Sequence, residues 1–426
     1  MPAAHLAAAL HKRGIHYAWV VAALTFLAML TTSAALGLPG ALMQPLAQEF
    51  GWSTTQLSSI FATRFALFGL LGPFAAVVLM RYSVSRVVAV AATVIGTALL
   101  LGTVMRTLPQ AFALWGLALG IGTGLTAMVL GAVVANRWFV QRKGLVMGLL
   151  AGSTATGQLL FLPMAAWLIE HHGWRWAVAP VVAMAALVAL LVTLFMRDHP
   201  SAIGLQPYGA DPQAAAPAAA PPADWGLPFR TLASAARVPM FWILAGSFFV
   251  CGLSTNGLIQ THFISLCSDQ GLGAVPAASV LAMMGIFDLV GTTLSGYLSD
   301  RFDNRKLLFW YYGLRGLSLF WLPYSDFTLM GLSVFAAFYG LDWIATVPPT
   351  VKLAAATFGP ARAPLVFGWV FAAHQLGAAT AAYGAGWSRA VLASYSPALF
   401  VAGAACVLVA LMMIRTPAPR AVVATA

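Results

Sequence analysis

Two related stretches of sequence reveal how this chain is organised. Residues 296–306 read Gly-Tyr-Leu-Ser-Asp-Arg-Phe-Asp-Asn-Arg-Lys, and residues 76–86 read Ala-Val-Val-Leu-Met-Arg-Tyr-Ser-Val-Ser-Arg. Each stretch ends one long apolar run and precedes another. Their separation of about 220 residues indicates a duplicated chain built from two similar halves.

A second pair of segments repeats at nearly the same distance. Residues 19–33 read WVVAALTFLAMLTTS, and residues 242–256 read WILAGSFFVCGLSTN. A tryptophan, a phenylalanine, a leucine and a closing polar trio coincide. Two matches at one spacing favour duplication, which is common in membrane transporters.

The composition excludes a soluble protein. Of the 426 residues, 61% are hydrophobic and only 8% are charged, whereas a soluble domain is about one quarter charged. The net charge of +11 does not indicate nucleic-acid binding here, because membrane proteins concentrate Lys and Arg in cytoplasmic loops. The three cysteines have no metal-ligand spacing, and no metal or cofactor is expected.

Twelve apolar runs are long enough to cross a bilayer as helices, which takes about 20 residues. The predicted spans are 17–42, 56–80, 84–105, 109–136, 144–169, 174–196, 238–266, 276–299, 307–325, 327–351, 362–388 and 395–415. With both termini in the cytoplasm, seventeen of the 22 Lys and Arg residues lie on the cytoplasmic side and three lie opposite. This bias predicts a multi-pass protein of the cell's inner (plasma) membrane with both termini cytoplasmic.

A polar, Pro/Ala-rich stretch over roughly 198–230 separates spans six and seven and is typical of a flexible linker. The predicted domains are an N-terminal six-helix half (1–197), a cytoplasmic linker (198–237) and a C-terminal six-helix half (238–426).

The motif at 296–306 resembles the loop motif of the major facilitator superfamily, with Asp300, Arg301, Arg305 and Lys306 at its charged positions. In the first copy Met80 replaces the acid. The resemblance covers the whole chain. It implies an all-α membrane fold in which two pseudo-symmetric six-helix halves rock around a central site, and a conformational latch at the charged loop.

Three further segments look like the monocarboxylate and oxalate–formate branch. They are Gly51-Trp-Ser, Asn136-Arg-Trp-Phe with Arg142-Lys-Gly, and Gly173-Trp-Arg. That resemblance implies proton-coupled carriage of small organic anions. The chain also departs from the branch: Thr292 stands where monocarboxylate carriers place an arginine four residues after Asp288, and span one has no lysine.

Ionisable side chains at depth are functional candidates, because charge in the bilayer costs several kcal/mol. Asp288 lies about 16 Å from an end of span eight at 1.5 Å per residue, and Arg315 about 12 Å from the ends of span nine. Asp342 and His374 lie near the middle of spans ten and eleven, and Arg64 is inside span two.

Their predicted roles follow from charge. Arg315 is expected to pair with Asp288 or Asp342, which leaves one acid free to take a proton, so Asp288, Asp342, Arg315 and His374 are candidates for proton coupling or gating. Arg64 and Arg315 are the cations at depth that suit a carboxylate. The alternatives are structural: an ion pair that locks helices, a hydrogen-bonded histidine, or an arginine that reaches the headgroups.

Polar side chains complete the predicted site. Thr31 and Thr32 in span one and Asn256 in span seven, with His374, are candidates for substrate contact, or else for contact with a neighbouring helix. Pro348 and Pro349 follow Asp342 closely and predict freed carbonyls beside it, or a plain kink.

The predicted function is secondary active transport of a small organic solute, a carboxylate coupled to protons, by alternating access. The alternative is a drug/proton antiporter or a carrier of zwitterionic or cationic solutes with the same fold. An enzyme is not expected, because no catalytic cluster occurs. The expected partners are a small-molecule substrate, protons and the lipid bilayer, with no nucleic acid, and the chain is expected to be monomeric.

Overall fold

Twelve long helices, with a few short ones such as Pro2–His11, form the described part of the computed structural model, which comprises residues 2–126, 128–210, 224–359 and 362–417. They are α1 Ala18–Phe50, α2 Thr54–Arg81, α3 Val84–Gly102, α4 Leu108–Trp138, α5 Lys143–His172, α6 Trp174–Phe195, α7 Pro239–Asp269, α8 Ala274–Ser299, α9 Asn304–Trp321, α10 Leu329–Phe358, α11 Ala363–Leu392 and α12 Ser396–Arg415.

Ten of these helices are long and apolar enough to cross a membrane by length and composition. The other two, α5 and α9, coincide with predicted spans five and nine. Helix α9 carries three basic residues, Arg305, Lys306 and Arg315, within its 18 positions. The predicted fold class is therefore confirmed.

Local sequence explains how the helices end. Gly51 takes the left-handed conformation (φ 66°) that closes α1. Ser53 then caps α2: its side chain accepts from the Gln56 backbone N–H at 3.2 Å, and the Gln56 side chain accepts from the Ser53 N–H at 2.9 Å. The Gly51-Trp-Ser segment is thus a helix stop followed directly by a helix start.

The two sets of six helices pack in the same pattern. In the first set α1 packs on α5, α2 on α4, and α3 on α6; in the second α7 packs on α11, α8 on α10, and α9 on α12. Each pair in the second set lies six helices after its counterpart. The domain boundaries themselves stay a prediction, but this correspondence is what a duplicated chain requires.

The two sets meet through α1 with α7, α2 with α11, and α5 with α8. At the end of the bundle away from the termini the contacts are close. A Cβ on Gly386 would lie 2.0 Å from Ser58 Oγ, and one on Gly40 would lie 2.7 Å from the Gln260 carbonyl oxygen. The glycines therefore let the halves close at that end.

The predicted linker is folded where it is described. Tyr208 exchanges backbone hydrogen bonds with Trp138 and Val140 at the terminal end of the first set. After residues 211–223, which lie outside the described chain, a short helix Leu227–Ala235 follows. It lies against both sets, because the Phe229 ring meets Phe74 of α2 and the Trp369 indole of α11 donates to the Pro228 carbonyl. Tyr208 and Phe229, on either side of residues 211–223, supply apolar surface for packing, although residues 198–230 as a whole are polar and rich in Pro and Ala.

Candidate functional site

A cavity of about 130 Å³ lies between the two halves. Helices α1, α2 and α4 line it from one side, and α7, α8, α10 and α11 from the other. Its polar lining is Thr32, Ser33, Thr126, Cys251, Thr255, Asn256, Gln260, Asp288, His374 and Gln375. No Arg or Lys is among the described residues that line it. An engineered cavity of about 150 Å³ holds benzene, so the space suits a small molecule.

The polar trio of α1 divides between the cavity and a helix contact. Thr32 and Ser33 line the cavity, and the Thr32 hydroxyl meets that of Thr126 on α4 at 2.5 Å. Thr31 is buried outside the cavity lining and donates to the Leu27 carbonyl at 2.8 Å. Of the two predicted threonines, only Thr32 therefore reaches the cavity.

The matching trio of α7 lies in a π-helical segment, Leu253–Gln260. Thr255 and Asn256 line the cavity from this segment. The segment begins just after Gly252, where an added Cβ would lie 1.7 Å from the His374 carbonyl oxygen of α11. Widened helical turns recur at functional sites, and here one turns two polar side chains toward the cavity.

Helix α10 is broken at the cavity. Its first part ends at Asp342, and its second, Val347–Phe358, begins just before Pro348 and Pro349. Because proline has no N–H, the carbonyls of Ile344 and Ala345 lose their usual helical donors. The prediction of freed backbone beside Asp342 agrees with this geometry: the Ser295 hydroxyl of α8 donates to the Ala345 carbonyl at 2.5 Å.

Arg315 binds the same break from α9. Its Nε donates to Asp342 Oδ2 at 2.6 Å, and its terminal nitrogens donate to the Asp342 and Trp343 carbonyls and to the Cys251 sulfur. Both ionic side chains are almost fully buried, at 0% and 8% exposure. Of its two predicted partners, Asp288 and Asp342, Arg315 pairs with Asp342. Neither Arg315 nor Asp342 lines the cavity.

Asp288 faces the cavity from α8. Its Oδ1 accepts from the Thr292 hydroxyl and from the Ile344 backbone N–H of the α10 break, both at 2.9 Å. It has no Arg or Lys ion-pair partner among the described residues. Asp288 is thus a buried carboxyl at the cavity that is held by neutral donors.

His374 lines the cavity from α11. Its ring stacks on Phe371 with centroids 5.6 Å apart and lies 5.7 Å from the Phe248 ring. Its Nδ1 has no hydrogen-bond partner in the described structure. The ring is thus held at the cavity by packing against two aromatic side chains.

Arg64 is 1% exposed and does not line the cavity. Its terminal nitrogens donate to the Ala35 and Leu36 carbonyls of α1 at 3.2 and 3.1 Å, and its guanidinium lies over the Phe65 ring at 5.0 Å. Within the described residues it pairs with no carboxylate.

The charged loop after α8 binds its own half. Asp300 pairs with Lys352 of α10, and Arg301 lies 4.1 Å from the Tyr297 ring centroid. Arg305 donates from two nitrogens to the two carboxylate oxygens of Asp303. It also donates to the Thr416 carbonyl at the end of α12 at 2.6 Å, which places a cation at the negative end of a helix. The Arg305 guanidinium lowers the pKa of the Asp303 carboxyl. Lys306 is exposed.

Residues 21–382 match the model of the Major Facilitator Superfamily. The chain belongs to the major facilitator superfamily. It is a multi-pass membrane transporter, as the sequence predicts.

Known superfamily members are similar at low identity. The chain is 26% identical to the uncharacterized MFS-type transporter YcxA of Bacillus subtilis over 354 residues, which cover 81% of each chain. It is 25% identical to monocarboxylate transporter 12-B of Danio rerio over 340 residues, 74% of this chain and 69% of that one. The predicted resemblance to monocarboxylate carriers is confirmed.

Solved structures of the superfamily share the fold. A bacterial homologue of the human lysosomal transporter Spinster, inward-facing and unoccupied, superposes with a TM-score of 0.67 at 16% identity over 93% of this chain and 95% of that one. A D-xylose–proton symporter superposes with a TM-score of 0.71 at 14% identity over 95% and 99%.

Sequence reasoning missed several residues that line this cavity. Gln260 and Gln375 line the cavity, and each keeps a buried side-chain oxygen without a partner. Cys251 lines it as well, although the sequence suggests only an apolar filler. Gln260 and Gln375 could have been found because each places an amide within an apolar span, and an amide is costly to bury unless it makes a hydrogen bond.

Proposed function

We propose that this superfamily member carries a small monocarboxylate together with a proton by alternating access. The observation that carries the proposal is Asp288, a carboxyl without an ion-pair partner in a central cavity that no described Arg or Lys lines. The relatives named as monocarboxylate transporters support the same solute class.

Charge balance gives the physical reason for coupling. An anion beside ionised Asp288 places two negative charges together, which costs about 3 kcal/mol at ~5 Å and an effective dielectric of ~20. That is roughly two orders of magnitude in affinity. A proton on Asp288 removes the repulsion, and one on His374 offsets it, so anion and proton bind together. The cavity volume of about 130 Å³ is close to that of a cavity that holds benzene, so it suits a small solute.

Other predicted residues take supporting roles in the proposal. Asn256, Thr32 and the amides Gln260 and Gln375 supply hydrogen bonds to the solute. The Arg315–Asp342 pair holds the α10 break during reorientation, and Asp300, Arg301, Arg305 and Lys306 form the latch. The chain acts as a monomer in the inner membrane, with both termini cytoplasmic and no cofactor.

The test is flux in proteoliposomes with an acidic exterior. Radiolabelled L-lactate, pyruvate and benzoate are offered to the wild type, to Asp288→Asn, and to Asp326→Asn as the matched control in an exposed loop. We expect a pH gradient to drive uptake by the wild type and the control but not by Asp288→Asn, which keeps exchange of solute across the membrane. Full pH-driven uptake by Asp288→Asn contradicts the proposal.

A second candidate rests on the same lining. Without a cavity Arg or Lys, ionised Asp288 can serve as counter-charge for a cationic or zwitterionic solute, and Phe248, Trp343 and Phe371 supply aromatic faces for a cation. In that case Asp288→Asn loses solute binding itself, and binding strengthens as pH rises. Exchange by Asp288→Asn therefore separates the two candidates.

A further inference from the structure

Among the described residues, two arginines, Arg64 and Arg315, are fully buried in the bundle, and their partners differ. Arg315 is neutralised by Asp342 at 2.6 Å. Arg64 has no carboxylate partner in the described residues, and residues 1–197 contain only two acids, Glu49 and Glu170, both near helix ends. Since arginine stays protonated, Arg64 is a buried charge without a counter-charge in its own half.

Backbone carbonyls hold Arg64 in place. Pro39 lacks the N–H that would bond to the Ala35 carbonyl, so this oxygen is free to accept from Arg64 at 3.2 Å. The Leu36 carbonyl accepts a second bond at 3.1 Å. The Arg64 Nε is buried and has no hydrogen-bond partner among the described residues. Neutral oxygens therefore fix the guanidinium without cancelling its charge.

The Arg64 side chain lies next to residues that line the cavity, although it does not line the cavity itself. Leu36, whose carbonyl Arg64 binds, lines the cavity. Phe68, one helical turn after Arg64 on α2, lines it too. In this low-dielectric surrounding a fixed charge acts across a layer of side chains with little screening.

We infer that Arg64 is the positioning residue that makes the cavity selective for a solute with one negative charge. The inference rests on the proposed function, since it names the charge that receives the carboxylate. With Asp288 ionised, the charges of Arg64, Arg315, Asp288 and Asp342 sum to zero. With Asp288 protonated and one monocarboxylate bound, the sum is zero again. A dicarboxylate leaves an uncompensated charge.

The test compares solutes of similar shape and different charge. L-lactate, its neutral amide lactamide, and malonate compete for uptake of labelled L-lactate by the wild type, Arg64→Gln and Arg64→Lys in proteoliposomes. We expect the wild type to prefer lactate over lactamide and malonate by tenfold or more. Arg64→Gln raises the KM for lactate at least tenfold, changes Vmax little and leaves lactamide inhibition unchanged. Arg64→Lys keeps most of the preference.

Pro39→Ala separates charge from support of the helix. The alanine N–H restores a donor to the Ala35 carbonyl, so Pro39→Ala/Arg64→Gln no longer needs the guanidinium there. Pro39→Ala alone should keep the lactate preference, and the double variant should lose it. The same comparison applies if Arg64→Gln alone is unstable.

Four outcomes overturn the inference. If the double variant recovers lactate affinity, Arg64 serves only to support helix α1, and its charge does not select the solute. Equal weakening of lactate and lactamide in Arg64→Gln, or no preference in the wild type, removes the charge argument while proton-driven uptake stands. Absence of any proton-driven monocarboxylate uptake by the wild type overturns the proposed function along with it.

Discussion

Removing Arg315 should destabilise the protein more than any single change at the cavity surface. Arg315→Met leaves the Asp342 carboxylate, which is 8% exposed, without the one ionic partner that it has among the described residues. Its other oxygen already has no hydrogen bond. Breaking a buried ion pair by removing one partner costs about 3–5 kcal/mol.

The broken helix adds to the loss. Arg315 also donates to the Asp342 and Trp343 carbonyls at the α10 break, and each buried polar group left unsatisfied costs about 1–3 kcal/mol. If part of this is recovered by relaxation, the free energy of unfolding falls by about 4–7 kcal/mol. At roughly 2–4 °C per kcal/mol for a unit of 150–250 residues, the melting temperature falls by about 8–28 °C.

The assay is thermal unfolding in detergent, followed by intrinsic fluorescence, for the wild type, Arg315→Met, Asp342→Asn and the double variant. The double variant carries no buried charge at this position, so it should be more stable than Arg315→Met, with a coupling energy of about 2 kcal/mol or more. A melting temperature within about 2 °C of the wild type for Arg315→Met, or additive effects of the two changes, refutes the reasoning. Proteoliposome flux of the double variant then tells whether the pair only supports α10 or also takes part in gating.

Three further outcomes are expected. Gly252→Ala should abolish folding or transport, because its Cβ would meet the His374 carbonyl oxygen at 1.7 Å, while Gly246→Ala on the same helix meets nothing within 4 Å and should be neutral in expression and flux. Asp303→Asn should lower the melting temperature at neutral pH, because Arg305 lowers the pKa of the folded Asp303 carboxyl. The stabilisation is present above the unfolded pKa of about 3.9 and disappears as the pH falls below that value. An equal drop in melting temperature at neutral pH and at acidic pH contradicts this prediction. The Asp303–Arg305 pair contributes less than about 1 kcal/mol to the free energy of unfolding, because both side chains are partly exposed. In a ligand panel at two pH values, a monocarboxylate should raise the melting temperature of the wild type more at the lower pH, whereas stabilisation only by cations, stronger at high pH, favours the second candidate.

The apolar runs and the repeats were enough to predict the architecture. A helix in lipid must satisfy its backbone within itself, so length and hydropathy alone locate spans, and the repeats at 76–86 and 296–306 indicate two halves. The helix signal at Gly51 and Ser53 is equally local, because a glycine that ends one helix and a serine that caps the next act within a few residues. Asp288 and His374 were found as ionisable groups at depth, without any knowledge of their neighbours.

Partners across helices could not be predicted in the same way. The sequence left Arg315 with two possible acids, and the crossing of α9 with α10 decided for Asp342. Thr31 and Thr32 are adjacent in sequence, but only Thr32 turns to the cavity, because successive helical residues differ by about 100°. Gln260 and Gln375 carry no charge to draw attention. The sequence predicts Arg64 as a solute contact, but only the structure shows that it binds the Ala35 and Leu36 carbonyls and does not line the cavity.

The sequence by itself therefore determined that this protein crosses the membrane many times in two related halves and buries a few ionisable groups. These properties depend on hydropathy, periodicity and local capping, which act over one helix. Only the tertiary structure decided which charges cancel: Arg315 with Asp342, leaving Asp288 at the cavity and Arg64 behind it. That outcome depends on contacts of a few ångströms between helices far apart in the chain, where the low dielectric makes each pairing costly to break.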